Sequence, residues 1–123
     1  GVRQPFTMTP KATFDQLSVC RRYQTEPLPP HPEEKVGIAR DFSPSTPPIN
    51  GVRHRPESGT CGWYLWSGEE PSSDPDYFEP LCIHHVEARY PEIIKYLALP
   101  PGWRFLLAPG YVDVWFDKSL INH

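Results

Sequence analysis

The chain has 123 residues, 38% of them hydrophobic and 13% aromatic, enough for one modest core and too few for two. Its net charge of −3 is unevenly divided: residues 1–55 hold eight Lys/Arg against five Asp/Glu (+3), and residues 56–123 hold four against ten (−6). A general nucleic-acid binder carries a basic face instead, so direct nucleic-acid binding is disfavoured, and no apolar run reaches the length of a membrane span or a signal-peptide core.

Seventeen prolines, far above the usual ~5%, cluster at 27–32, 44–48 and 100–101 and imply stiff connections between short elements. Cys20, Cys61 and Cys82 form no recognisable disulfide framework, which favours a reducing, cytoplasmic setting. Gly1–Thr7 is expected to be a tag remnant, with Met8 the native start. Over Lys11–Tyr23, Phe14, Leu17 and Val19-Cys20 recur near helical spacing behind a capping Thr13, predicting a short helix. Pro27-Leu28-Pro29-Pro30-His31-Pro32 must be extended, because each proline fixes its own φ and restrains the residue before it; it reads as a linker strapped across the domain.

Lys35–Phe42 alternates Val36, Ile38 and Arg40 against Gly37, Ala39 and Asp41, the pattern of a strand. Asn50-Gly51 is a turn signal, with Val52–Arg55 a short return strand. Cys61–Pro80 is the most informative stretch. Gly62 frees the backbone ahead of Trp63-Tyr64-Leu65-Trp66, which suit a half-buried pleated surface; alternation puts Trp63 and Leu65 on one face, Tyr64 and Trp66 on the other. Ser67-Gly68 ends this strand, and Glu69, Glu70, Asp74, Asp76 and Glu79 follow with no Lys or Arg among them. Asp74-Pro75-Asp76 reads as a helix N-terminus. Leu81–Leu99 is helical in character and divided at Pro91. Trp103–Ala108 and Tyr111–Phe116 flank Pro109-Gly110 as a hairpin, with Val112, Val114 and Phe116 on one face. The whole is an α+β domain: a mostly antiparallel sheet of four to five strands, covered on one face by two to three helices.

Little in the chain points to catalysis. His84-His85 with Glu87, Cys82 and Cys61 fits no zinc signature, and adjacent histidines on a helix point in different directions. A Cys/His pair lacks a third group and an oxyanion site, and lone cysteines are most often small core residues. The acidic run lacks the glycine pattern of a calcium loop, so no cofactor or metal is expected. Its setting is more telling. Trp66 at the strand end and Tyr77-Phe78 inside the run place apolar anchors in a negative field, the combination that protein–protein recognition uses. A small metal-dependent hydrolase using the 69–79 carboxylates with His84 or His85 is one alternative. A peptide- or glycan-binding module with Trp63 and Trp66 exposed side by side is another.

The run GWYLWSGEE (Gly62–Glu70), followed by DPDYFEPL and by YLALPPGWRFLLAPGYVDVWFD, resembles bacterial immunity protein family 33, as do KVGIA at 35–39 and PPING at 47–51. The resemblance covers roughly residues 20–120, leaving 1–19 as an N-terminal extension and 20–123 as the domain proper. It implies a non-enzymatic, cytoplasmic bacterial inhibitor, of the kind encoded beside polymorphic or type VI secretion toxins, that binds the cognate toxin made by the adjacent gene. Under that reading Glu69, Glu70, Asp74 and Asp76 supply charge, Trp66 and Tyr77 supply anchors, and Glu79 and Asp113 belong to the same toxin-binding set. Trp63, Trp103 and Trp115 are assigned to the core or its rim.

Overall fold

The computed structural model describes residues 11–57 and 59–122; the expectations for Gly1–Thr7 and Met8 lie outside them. The first helix, α1 (Phe14–Arg22), is set by a reciprocal capping box between Thr13 and Gln16, in which each side chain satisfies the other's backbone N–H. Gln16 is buried and also donates Nε2–H to the Ile94 carbonyl at 3.0 Å, so one residue both starts the helix and docks it. The proline-rich segment then crosses the domain as a strap, with Leu28 N–H bonded to Ala98 O at 2.7 Å.

Six strands form one sheet: β1 (Lys35–Ala39), β2 (Ile49–Arg53), β3 (Trp63–Ser67), β4 (Phe78–Cys82), β5 (Trp103–Ala108) and β6 (Tyr111–Phe116), in the order β4-β1-β3-β2-β5-β6. Every pairing is antiparallel except β1 with β3. A short helix, α2 (Ile83–Arg89), and a 3-10 helix (Pro91–Tyr96) lie between β4 and β5. The break between them falls at Pro91 as expected. The α+β class holds, with one or two strands more than the sequence indicated.

The added strand is β4. Asp74 does order its own turn, its Oδ1 accepting from the Asp76 N–H at 2.8 Å, but no helix follows. Phe78–Cys82 leaves as an edge strand paired along β1, from Ala39↔Phe78 to Lys35↔Cys82. Pro80 is tolerated there because an edge position does not require its missing N–H. Asn50-Gly51 is likewise no turn but the middle of β2. Gly51 is required by packing: a Cβ there would overlap the ring of Phe105 on the neighbouring strand, while Asn50 Nδ2–H is taken up by Gly68 O at 2.9 Å.

The main core lies between the sheet and the helices. Trp63, Leu65, Val36 and Phe105 from the strands meet Val86, Ile93, Leu97 and Leu99 from the helical segment, and all are essentially inaccessible. Cross-strand partners share a face, so Tyr64, Trp66, Val52 and Arg104 project to the other side. There a smaller cluster of Ala39, Val52 and Trp66 is closed by Leu120, in the C-terminal 3-10 turn (Lys118–Leu120), with Tyr64, Tyr77 and Phe78 packed around it.

Candidate functional site

The acidic segment is a loop that runs from the end of β3 across the end of β1 to the start of β4. Its stem is fixed at Gly68, whose N–H lies 2.9 Å from Pro48 O and 3.1 Å from Thr46 O. Its far end is fixed by Arg40: the backbone N–H donates to Tyr77 O at 2.8 Å and the guanidinium Nε–H to Asp76 O. Between these anchors Ser72 Oγ accepts from Asp74 N–H at 3.0 Å. Glu69, Glu70, Asp74 and Asp76 are all exposed. The one ion pair within 4.0 Å among the described residues is Arg104–Asp117, elsewhere on the sheet, so these four carboxylates project uncompensated charge from a loop whose backbone is held at both ends.

The aromatic anchors divide between surface and interior. Tyr77 is half-buried and packs edge-on against Phe78, the ring centroids 5.0 Å apart. Desolvation, then a hydrogen bond to Asp41, pushes its phenol above the usual tyrosine range, so it stays a neutral donor at physiological pH. Trp66 is only 7% exposed. It packs edge-on to Phe78 at 6.5 Å and supports the loop's exit from beneath; its indole Nε1–H is buried with no partner. Glu79, on β4, is exposed but faces the helical side, opposite Ile38. Asp113 is on β6, at the other edge of the sheet. Five strand spacings of ~4.8 Å separate β6 from β4, about 24 Å. The fold therefore gathers Glu69, Glu70, Asp74, Asp76 and Tyr77 at one corner, places Trp66 beneath that corner, and leaves Glu79 and Asp113 apart.

The two alternative chemistries find little geometric support. His84 and His85 open α2, at the far end of β4 from the acidic loop, with rings 4.2 Å apart and His84 Nδ1 3.3 Å from Pro32 O. Among the described residues no group of three or more His, Cys, Asp or Glu side chains is arranged to hold a metal. Trp63 is fully buried and faces the helices while Trp66 faces the opposite side, so the two rings do not form an exposed pair. Cys20 and Cys61 are buried and free, and burial pushes both thiols up, away from the reactive thiolate.

Sequence reasoning missed Arg40 as the residue that pins the loop, and Arg53 as a buried charge. Arg40 carried a signal, because it breaks the apolar alternation of β1 just before the chain turns. Arg53 carried none, because its partners are backbone carbonyls.

These features define a small α+β domain with a one-sided helical layer and an acidic, aromatic-footed loop at one sheet corner. The family model for the Imm33-like domain matches residues 15–117, and the chain belongs to this family of immunity proteins. No curated protein and no solved structure matches it. Among the described residues no helix is long and apolar enough to cross a membrane.

Proposed function

We propose that this protein binds one cognate bacterial toxin, the product of the adjacent gene, and neutralises it by covering the toxin's active site or functional surface. The observation that carries the reading is the loop at 69–77 in a chain of the immunity family: four exposed, unpaired carboxylates on a backbone pinned at both ends. A held loop loses little conformational entropy on binding, so more of the contact energy appears as affinity. Toxins that act on nucleic acids carry basic clefts, which Glu69, Glu70, Asp74 and Asp76 would fill as phosphate mimics. Tyr77 supplies the accessible anchor, and Trp66 contributes by holding Phe78 and the loop's exit in place. The inhibitor needs no chemistry of its own and acts in the cytoplasm of the producing cell.

The test is co-purification with the toxin encoded beside it, comparing the native chain with the variant carrying E69K, E70K, D74K and D76K. Exposed ion pairs contribute ~0.2–1 kcal/mol each, so losing four predicts a rise in Kd of at least about fourfold, with native binding weakening as salt increases. Binding that survives the reversal moves the interface away from the loop. Absence of binding to any neighbouring product removes the immunity reading itself.

A further inference from the structure

The two edges of the sheet are built differently. The β4 edge carries Pro80 at its centre and Glu79 beside it, two of the devices by which proteins prevent an edge from pairing with another chain. The β6 edge, Tyr111–Phe116, contains no proline, lysine or bulge; all six of its residues pair in unbroken register with β5. Tyr111, Val112 and Phe116 are about half exposed, at 54%, 52% and 49%. Among the described residues no strand covers it.

We propose that this edge pairs with the same edge of a second copy, joining two sheets into one continuous antiparallel sheet about a twofold axis at Val114. The ladder fixes which backbone groups are free, and centring on Val114 is the register that pairs all three outward residues. Asp117 N–H donates inward to Gly102 O, and the two-residue hairpin closes on Ala108↔Tyr111. The backbone groups of residues 111, 113, 115 and 117 therefore point toward β5, and those of Val112, Val114 and Phe116 point out. Outward groups symmetric about Val114 are what self-pairing requires: Val114 faces its own copy, and each Val112 faces the second copy's Phe116, giving about six new ladder hydrogen bonds.

Both sheet faces match this register. On the helical face, a hollow of about 360 Å³ lies beside Val112, lined by Val19, Arg22, Tyr23, Lys95 and Tyr96. The second copy's Phe116, opposite Val112, packs on its own Trp103 and over its own Gly102, and its exposed half would border that hollow. On the other face, Arg104 is paired with Asp117 of its own chain at 2.9 Å and reaches over the ring of Trp115, its guanidinium carbon 4.9 Å from the centroid, while its Nε–H is buried without a partner. The residue across from Trp115 in this register is the second copy's Asp113, which places a carboxylate next in the row from that cation. Asp113, which accepts from its own Tyr111 hydroxyl at 3.4 Å, would thus lie at the self-contact.

The test uses two variants that each add one exposed cysteine in a Cys82→Ser background, V112C and F116C, so that the native cysteines left, Cys20 and Cys61, are both buried. Paired residues in the predicted register face each other directly, whereas like residues sit about 13 Å apart along the strand. Under mild oxidation a cross-linked dimer is expected in the mixture of the two variants and not in either alone. Sedimentation of the native protein is expected to show a dimer that dissociates in V112P, where the lost N–H is an outward one and the β5 ladder is kept. Should V112P not fold, V112K applies the same break through charge. A native chain monomeric across the concentration range, or cross-linking within V112C alone, would overturn the proposal. So would a monomer whose binding to the toxin is lost in V112K, which would assign this edge to the toxin.

Discussion

Arg53 provides the sharpest test of what holds the fold together. It sits mid-sheet on the helical face at 3% exposure, with no carboxylate in ion-pair range among the described residues. Its guanidinium instead donates to four backbone carbonyls: Leu28 at 2.7 Å, Leu99 at 2.8 Å, Cys61 at 3.3 Å and Leu97 at 3.4 Å. It also lies over Trp63, 5.7 Å from the ring centroid. One side chain thus ties the proline strap, the end of the 3-10 segment and the start of β3 to the sheet. Desolvation lowers its pKa, partly offset by attraction to Glu34.

Replacing Arg53 with methionine keeps the apolar stem and removes the donors. Two short bonds from a charged donor contribute ~1.5–3 kcal/mol each, net of desolvation. Leu97 O keeps the Trp63 indole N–H as a donor at 2.9 Å, whereas Leu99 O is left buried and unpaired. The two short bonds together give ~3–6 kcal/mol, and the lower bound of about 3 kcal/mol is the smallest loss expected. For a domain of this size that lowers Tm by about 12 °C. Urea unfolding of R53M supplies the free energy, and hydrogen exchange at the Leu28 amide reports whether the strap detaches first. Stability within about 1 kcal/mol of the native protein, with Leu28 still protected, would refute the idea that carbonyl clamping outweighs the cost of burying the guanidinium.

Gly51→Ala forces a methyl group into the ring of Phe105, which is itself stacked on Tyr96 at 5.1 Å and cannot withdraw; a loss of ~1–3 kcal/mol is expected in urea unfolding. Asp117 is held below the ordinary aspartate range, first by Ser119 and then by Arg104. A depressed folded pKa means stability that is present above ~4 and lost as pH falls through the folded value. Tm measured at pH 6 and pH 3 should therefore differ less in D117N than in the native chain, and an equal difference in both would count against the assignment.

Elements whose signal is local were legible in the sequence. Thr13 announced α1, Pro91 divided the helical segment, Pro109-Gly110 marked the hairpin, and alternation placed Trp63 and Trp66 on opposite faces. The misread elements were set by partners distant in sequence. Asn50-Gly51 has turn composition, yet Gly51 is there to admit Phe105 from a strand more than fifty residues away. Phe78–Cys82 contains a proline and follows a capping aspartate, yet its strand state comes from pairing with β1. At the candidate site the charges could be read directly, because exposed carboxylates need no context. The burial of Trp66 could not, because Leu120 and Phe78, which cover it, come from a turn and an edge strand with no sequence mark of contact. Spatial grouping failed in the same way for Asp113, which topology sends to the opposite edge.

A six-stranded open sheet has two edges, and only one of them is protected here. Pro80 and Glu79 protect β4, beside which the acidic loop rises, so that corner is free to meet a partner through side-chain charge without inviting strand addition. The β6 edge has the reverse character, with apolar side chains and outward backbone groups in symmetric register. Self-pairing there would place the two acidic loops at the far ends of a twelve-stranded sheet, eleven spacings or about 50 Å apart. Neither loop would then occlude the other, and self-repulsion between them would be screened over several Debye lengths at physiological salt. On these two proposals, the charge asymmetry visible in the sequence, with ten acids among residues 56–123, would divide into two uses of acid at different places. The loop carboxylates are left exposed and unpaired, Asp117 pairs with Arg104 over the ring of Trp115, and self-pairing would set the second copy's Asp113 across from that ring.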